Sequence, residues 1–153
     1  MKRGDKGYWQ WLKNTGRPKA LKSPKQLLQA AVEYFEWCDD NPFKQQDFIR
    51  GGDAAGTIIE LDKMRPYTWM GLEMWLRDKG LIAKLDDYRA NKDNRYPEFS
   101  DTLAHIEQII RDQKYSGAAS GFFNANIIAR DLGLTDKTQN TITVEQPLFP
   151  DAD

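Results

Sequence analysis

Apolar residues return at helical spacing in three stretches of the chain. In the first, Leu27, Ala31, Tyr34, Phe35 and Cys38 share one face of a helix. Ser23 predicts its N-cap, Pro24 its first turn, and Gln26 stands at capping-box distance from Ser23. Asn41-Pro42 predicts its end, because proline disfavours helical backbone in the residue before it. A second helix is predicted from Thr68, with Met70, Leu72, Trp75 and Leu76 among its apolar residues. Lys79-Gly80 breaks it, and a further helix is predicted over Leu81 to Arg89. The third stretch begins at Pro97 and places Phe99, Leu103, Ile106 and Ile110 on one stripe. After it, Gly117-Ala118-Ala119-Ser120-Gly121 predicts a close approach of two helix backbones, or a bend. Phe122, Phe123, Ile127, Ile128 and Leu132 follow, and Gly133 is placed to end the last helix.

Two segments read as β-structure. Stretches near Asp47–Arg50 and Thr57–Leu61 flank a glycine-rich turn, which predicts a hairpin within about residues 45–62. Residues 140–145 alternate Thr141, Ile142, Thr143 and Val144, a short strand with no neighbouring partner in sequence. The fold class is therefore mainly α: a helical body with a β-hairpin insertion and a C-terminal strand. The expected organisation is an arm over 1–22, a helical domain over 23–138, the strand over 139–146 and a flexible acidic tail over 147–153.

Composition narrows the chemistry. With 153 residues, 40% apolar content and 12% aromatics, the chain is long enough for one domain with a core. No apolar run approaches the ~18 residues of a membrane span, and MKRGDKGYWQW lacks the apolar stretch of a signal peptide. One cysteine, Cys38, excludes an internal disulfide and a cysteine-based zinc site. Gly51 and Gly56 imitate the glycines of a phosphate loop, but no lysine precedes Thr57 to reach a phosphate. His105, the lone histidine, has no nucleophile at helical spacing. Asp39-Asp40 and Asp86-Asp87 are adjacent pairs that diverge on a helix and do not naturally share a metal. The reading is of a protein without catalytic residues, cofactor or metal.

The formal charge of −1 is unevenly spread. Residues 1–25 carry eight bases against Asp5, whereas residues 131–153 set Lys137 against five acids. A basic arm interleaved with Tyr8, Trp9 and Trp11 suits a polyanion, so Lys2, Arg3, Lys6, Lys13, Arg17, Lys19 and Lys22 are the first candidates for nucleic-acid contact. Lys84, Arg89, Lys92 and Arg95 are the second set. They adjoin a helix–turn–helix outline at 68–89, which raises a helix–turn–helix transcriptional regulator as the alternative, although Asp86 and Asp87 face phosphates badly. In the tail, Leu148 and Phe149 form an apolar anchor followed by Asp151 and Asp153, a pattern suited to docking on a protein partner.

Longer strings carry a family likeness. SPKQLLQAAVEYFEWCDDNPF (23–43) and PEFSDTLAHIEQIIRDQKYSGAASGFFNANIIARDLGLTDK (97–137) closely resemble the small terminase subunits of short-tailed, headful-packaging bacteriophages. Gly16-Arg17-Pro18-Lys19, Lys63-Met64-Arg65, Thr68 and Gly71-Leu72 fit the same pattern, while Leu76–Tyr96 and the tail after Thr138 depart from it. The resemblance implies a non-enzymatic subunit that forms a homo-oligomeric ring in the host cytoplasm. It implies binding to double-stranded phage DNA at the packaging-initiation site and recruitment of the large terminase subunit through the tail. It also implies that the C-terminal strands of the copies join in an intersubunit β-barrel.

Overall fold

A computed structural model describes residues 20–134. Those residues are mainly helical. Helix α1 (Pro24–Asp40) leads into an antiparallel ribbon of β1 (Phe43–Phe48) and β2 (Ile58–Lys63). Helices α2 (Trp69–Asp78), α3 (Leu85–Ala90), α4 (Ser100–Ala119) and α5 (Ala125–Asp131) follow, with two short 3-10 turns between α3 and α4.

Helix α1 forms as its sequence dictates. Ser23 is extended, and its hydroxyl accepts the Gln26 N–H at 3.2 Å. The Gln26 side chain reaches one residue further back than a capping box, accepting the Lys22 N–H at 2.9 Å. At the other end the Asn41 side chain donates to the Trp37 carbonyl at 2.8 Å. All five residues of the sequence stripe on α1 are buried, as are Phe99, Leu103, Ile106 and Ile110. These two faces meet Leu72 and Leu76 of α2 and Leu85 of α3 in one core. Aromatic rings fill its edges: Phe35 stacks on Tyr67 at 4.5 Å, and Tyr88, Tyr96 and Phe99 form a cluster with centroid separations of 4.3, 5.1 and 6.3 Å. Burial pushes the Cys38 thiol up to about 11, partly offset by the Tyr34 hydrogen bond and the Arg65 charge. Tyr67 is also pushed well up, first by burial and then by its hydrogen bond to Asp39.

Two details differ from the sequence expectations. The second helix does not resume at Leu81. Gly80 at φ 68° lets its own N–H reach the Arg77 carbonyl while the Leu81 N–H reaches Leu76, and this closes α2. Residues 81–84 then run irregularly, with Ile82 buried, and α3 begins only at Leu85. Both strands are displaced toward the root relative to 47–50 and 57–61: β1 starts and ends earlier, β2 starts and ends later, and the ladder runs from Phe43↔Lys63 to Phe48↔Ile58. Met70 sits in the first turn of α2 but points to solvent.

The small-residue run marks the bend between α4 and α5, and its Gly117 makes room for a side chain. Helix α4 continues through Gly117 to Ala119, and a Cβ at Gly117 would meet the Phe123 ring at 2.3 Å. The glycine thus makes room for an aromatic ring folding back on the helix end. The bonds that close α2 recur at the ends of α4 (Gly121 to Ala118, Phe122 to Gly117) and α5 (Gly133 to Arg130, Leu134 to Ala129). Gly133 therefore ends the last helix as its position predicts.

The ribbon stands apart from this core. It is rooted by Arg65, which is buried although charged. Its guanidinium lies 4.0 Å from the Phe43 ring centroid and 4.9 Å from that of Trp37, and its Nε donates to the Asn41 carbonyl at 2.6 Å. Lys44 and Asp62 pair across the strands.

Candidate nucleic-acid interface

Of the first candidate set, Lys2, Arg3, Lys6, Lys13, Arg17 and Lys19 lie outside the described residues; Lys22 lies inside, exposed at the start of α1. The point where the arm enters the body is fixed. Leu21 is buried, and its backbone N–H donates to the Tyr88 hydroxyl at 3.1 Å. Tyr88 belongs to α3, between Lys84 and Arg89. The fold therefore brings the root of the basic arm beside the second basic set, which sequence order separates by more than sixty residues.

Two residues of that second set are held by acids. Arg89 pairs with Glu107 of α4 at 2.7 Å and lies 5.2 Å from the Trp69 ring centroid. The Trp69 indole N–H in turn donates to Asp86 at 3.1 Å. Arg95 pairs with Asp93 at 3.3 Å. Lys84 and Lys92 are exposed and form no ion pair with another described residue. The loop that displays Lys92 and Arg95 takes three left-handed residues, Asn91, Asp93 and Asn94, at φ 42°, 58° and 52°. Asn and Asp tolerate that conformation best after glycine, and here Asn91 repays it locally. Its Oδ1 accepts the Tyr96 N–H at 2.6 Å, and its Nδ2 donates to Asn94 at 3.2 Å.

The arrangement suits screening contacts to phosphates better than base reading. Helix α3 has six residues and opens with Asp86 and Asp87, so it presents negative charge where a recognition helix would meet DNA. The helix–turn–helix outline at 68–89 is thus interrupted by residues 81–84 and acidic at its second helix. Trp69, which carries no signal in the sequence, comes beside this basic set only through the fold, with the Arg89 guanidinium over its ring.

The remaining site candidates separate cleanly. His105 is exposed on α4. Asp39 accepts the Tyr67 hydroxyl at 2.8 Å, and no cluster of metal-ligating side chains occurs among the described residues. Leu148, Phe149, Asp151 and Asp153, and the strand expected at 140–145, lie outside the described residues. No helix among the described residues is long and apolar enough to cross a membrane.

The described residues thus form a small helical body with a two-stranded ribbon. Residues 16–141 match the family described as DNA-packaging protein gp3. The chain is also 36% identical over 134 residues to the terminase small subunit of Salmonella phage P22, covering 86% of this chain and 76% of that protein. The chain belongs to this bacteriophage DNA-packaging family of small terminase subunits.

Proposed function

We propose that this protein is a non-catalytic subunit of the phage packaging machine. It assembles as a homo-oligomeric ring, binds the packaging-initiation site on double-stranded phage DNA, and recruits and regulates the large terminase subunit, which holds the ATPase and nuclease. The observation that carries this reading is the family match over residues 16–141, supported by the similarity to the P22 subunit along 86% of the chain.

Each segment has its own task. Residues 1–22 hold phosphates through Lys2, Arg3, Lys6, Lys13, Arg17, Lys19 and Lys22, with Lys84, Arg89, Lys92 and Arg95 as the adjoining second surface. Residues 23–138 form the oligomerisation body. Residues 139–146 supply one strand each to a barrel shared among the copies, which gives an otherwise single strand its partners. Residues 147–153 carry Leu148, Phe149, Asp151 and Asp153 to the large subunit. A ring multiplies weak arms, because each phosphate contact after the first is made at high effective concentration.

Deleting residues 1–22 is the decisive experiment for DNA contact. Binding should weaken and its dependence on salt should flatten, since each phosphate neutralised contributes a slope of about 0.9 in log K against log salt. Unchanged affinity and slope would overturn the assignment to the arm. Deleting residues 146–153 should leave DNA binding intact and abolish capture of the large subunit.

A further inference from the structure

We propose that the β1–β2 ribbon of one copy docks on the α4–α5 corner of the next copy. The inference rests on the ring reading above and names the two surfaces that would close it.

The ribbon carries apolar side chains that the described residues leave exposed. Phe48 and Ile58 are a cross-strand pair at its tip, 55% and 69% exposed. Nearer the root, Phe43, Leu61 and Met64 are also exposed. A two-stranded ribbon has no second layer and is marginal in water by itself. Its tip stands about 17 Å from its root, at ~3.4 Å per residue.

A second exposed apolar surface lies on different elements. Phe122 and Ile127 are 59% and 65% exposed, and Tyr115 and Leu134 flank them on the corner between α4 and α5. Two unlike patches on one molecule are what a head-to-tail contact requires, whereas a two-fold dimer needs one patch that meets itself. Charge favours the same pairing. Residues 43–63 set Lys44, Arg50 and Lys63 against Asp47, Asp53, Glu60 and Asp62, a balance of −1. Residues 111–134 set Arg111, Lys114 and Arg130 against Asp112 and Asp131, a balance of +1. A copy of this chain therefore offers both an apolar surface and the opposite charge.

Native mass spectrometry of the full chain tests the pairing. Phe48→Asp and Ile127→Asp should each convert rings to monomers, with far-UV circular dichroism and the urea midpoint of the subunit unchanged. If wild type itself is monomeric, the ring reading fails first. If wild type forms rings and both variants still do, the ring stands and this pairing is overturned. Rings that persist while capture of the large subunit is lost would overturn it in favour of the large subunit as occupant. A second measurement guards against misfolding. In a Cys38→Ala background, Phe48→Cys combined with Ile127→Cys should give a ladder of disulfide-linked copies beyond the dimer. Only an intramolecular bridge, or no bridge in an intact ring, would overturn the proposal.

Discussion

The core and the ribbon use the same kinds of residues to opposite ends. In the core, Leu27, Tyr34, Leu72, Leu76 and Ile106 are fully buried within one chain. On the ribbon, Phe48 and Ile58 stand in solvent although they are no less apolar. The difference lies in what surrounds each stripe. A helix with an apolar face finds other helices across the core, while the ribbon has two faces and, among the described residues, no layer over either. Apolar content alone thus says that a residue seeks cover, and topology says whether the cover lies within the chain.

That contrast is open to measurement. The largest effect is expected in the core: Leu76→Ala should cost about 2–5 kcal/mol in urea denaturation, the range for truncating a fully buried leucine. A loss below that range would mean that the helices collapse around the cavity.

A pH series sharpens the picture next. Cys38 ionises at about 11 in the fold against 9.0 when unperturbed. The unfolded chain therefore releases this proton first as pH rises, and stability falls. The contribution is complete below pH 9 and is lost between about 9 and 11, on the order of 2–3 kcal/mol at ~1.4 kcal/mol per unit. Tyr67, also pushed up, adds a loss of the same sign at higher pH. Cys38→Ala should flatten the slope between pH 9 and 11; an unchanged slope there would place its origin elsewhere.

Gly117→Ala tests the edge of the core. The new methyl would overlap the Phe123 ring, and the expected cost is about 1–3 kcal/mol in the same denaturation assay. Relief by Phe123→Ala in the double variant would identify that ring as the cause. The smallest effect belongs to the ribbon: Phe48→Ala should change subunit stability by less than about 0.5 kcal/mol, as exposed positions do. A larger loss would show that the ribbon leans on its own body.

Much of this contrast was legible in the sequence, and its limits have physical reasons. The stripes of α1 and α4 stood out because both bury one face at a regular period. The Ser23 cap and Gly133 ending were visible because each is a local backbone solution. Residues 81–84 were misread as helix because Ile82 and Leu85 are buried by tertiary contacts that imitate helical spacing. The ribbon was found, but its true ends depend on the Arg65 root, a long-range contact with no sequence period. Of the candidate interface, the bases were visible and their environment was not. Glu107 neutralises Arg89, and the Leu21–Tyr88 bond joins two sets of bases far apart in the chain.

One side chain ties the two regions together mechanically. The Gln113 amide accepts the Tyr67 N–H at 3.0 Å and donates to the Arg65 carbonyl at 3.1 Å. Those are the two backbone groups flanking Pro66 that a parallel strand would occupy. A single amide of α4 thus stands in for a missing strand, gripping the segment that leaves the ribbon. That grip ties the base of the ribbon to α4 about one turn before Gly117, where Phe123 folds over the helix. In the pairing proposed above, α4 would be the rod that joins the two docking ends of each subunit.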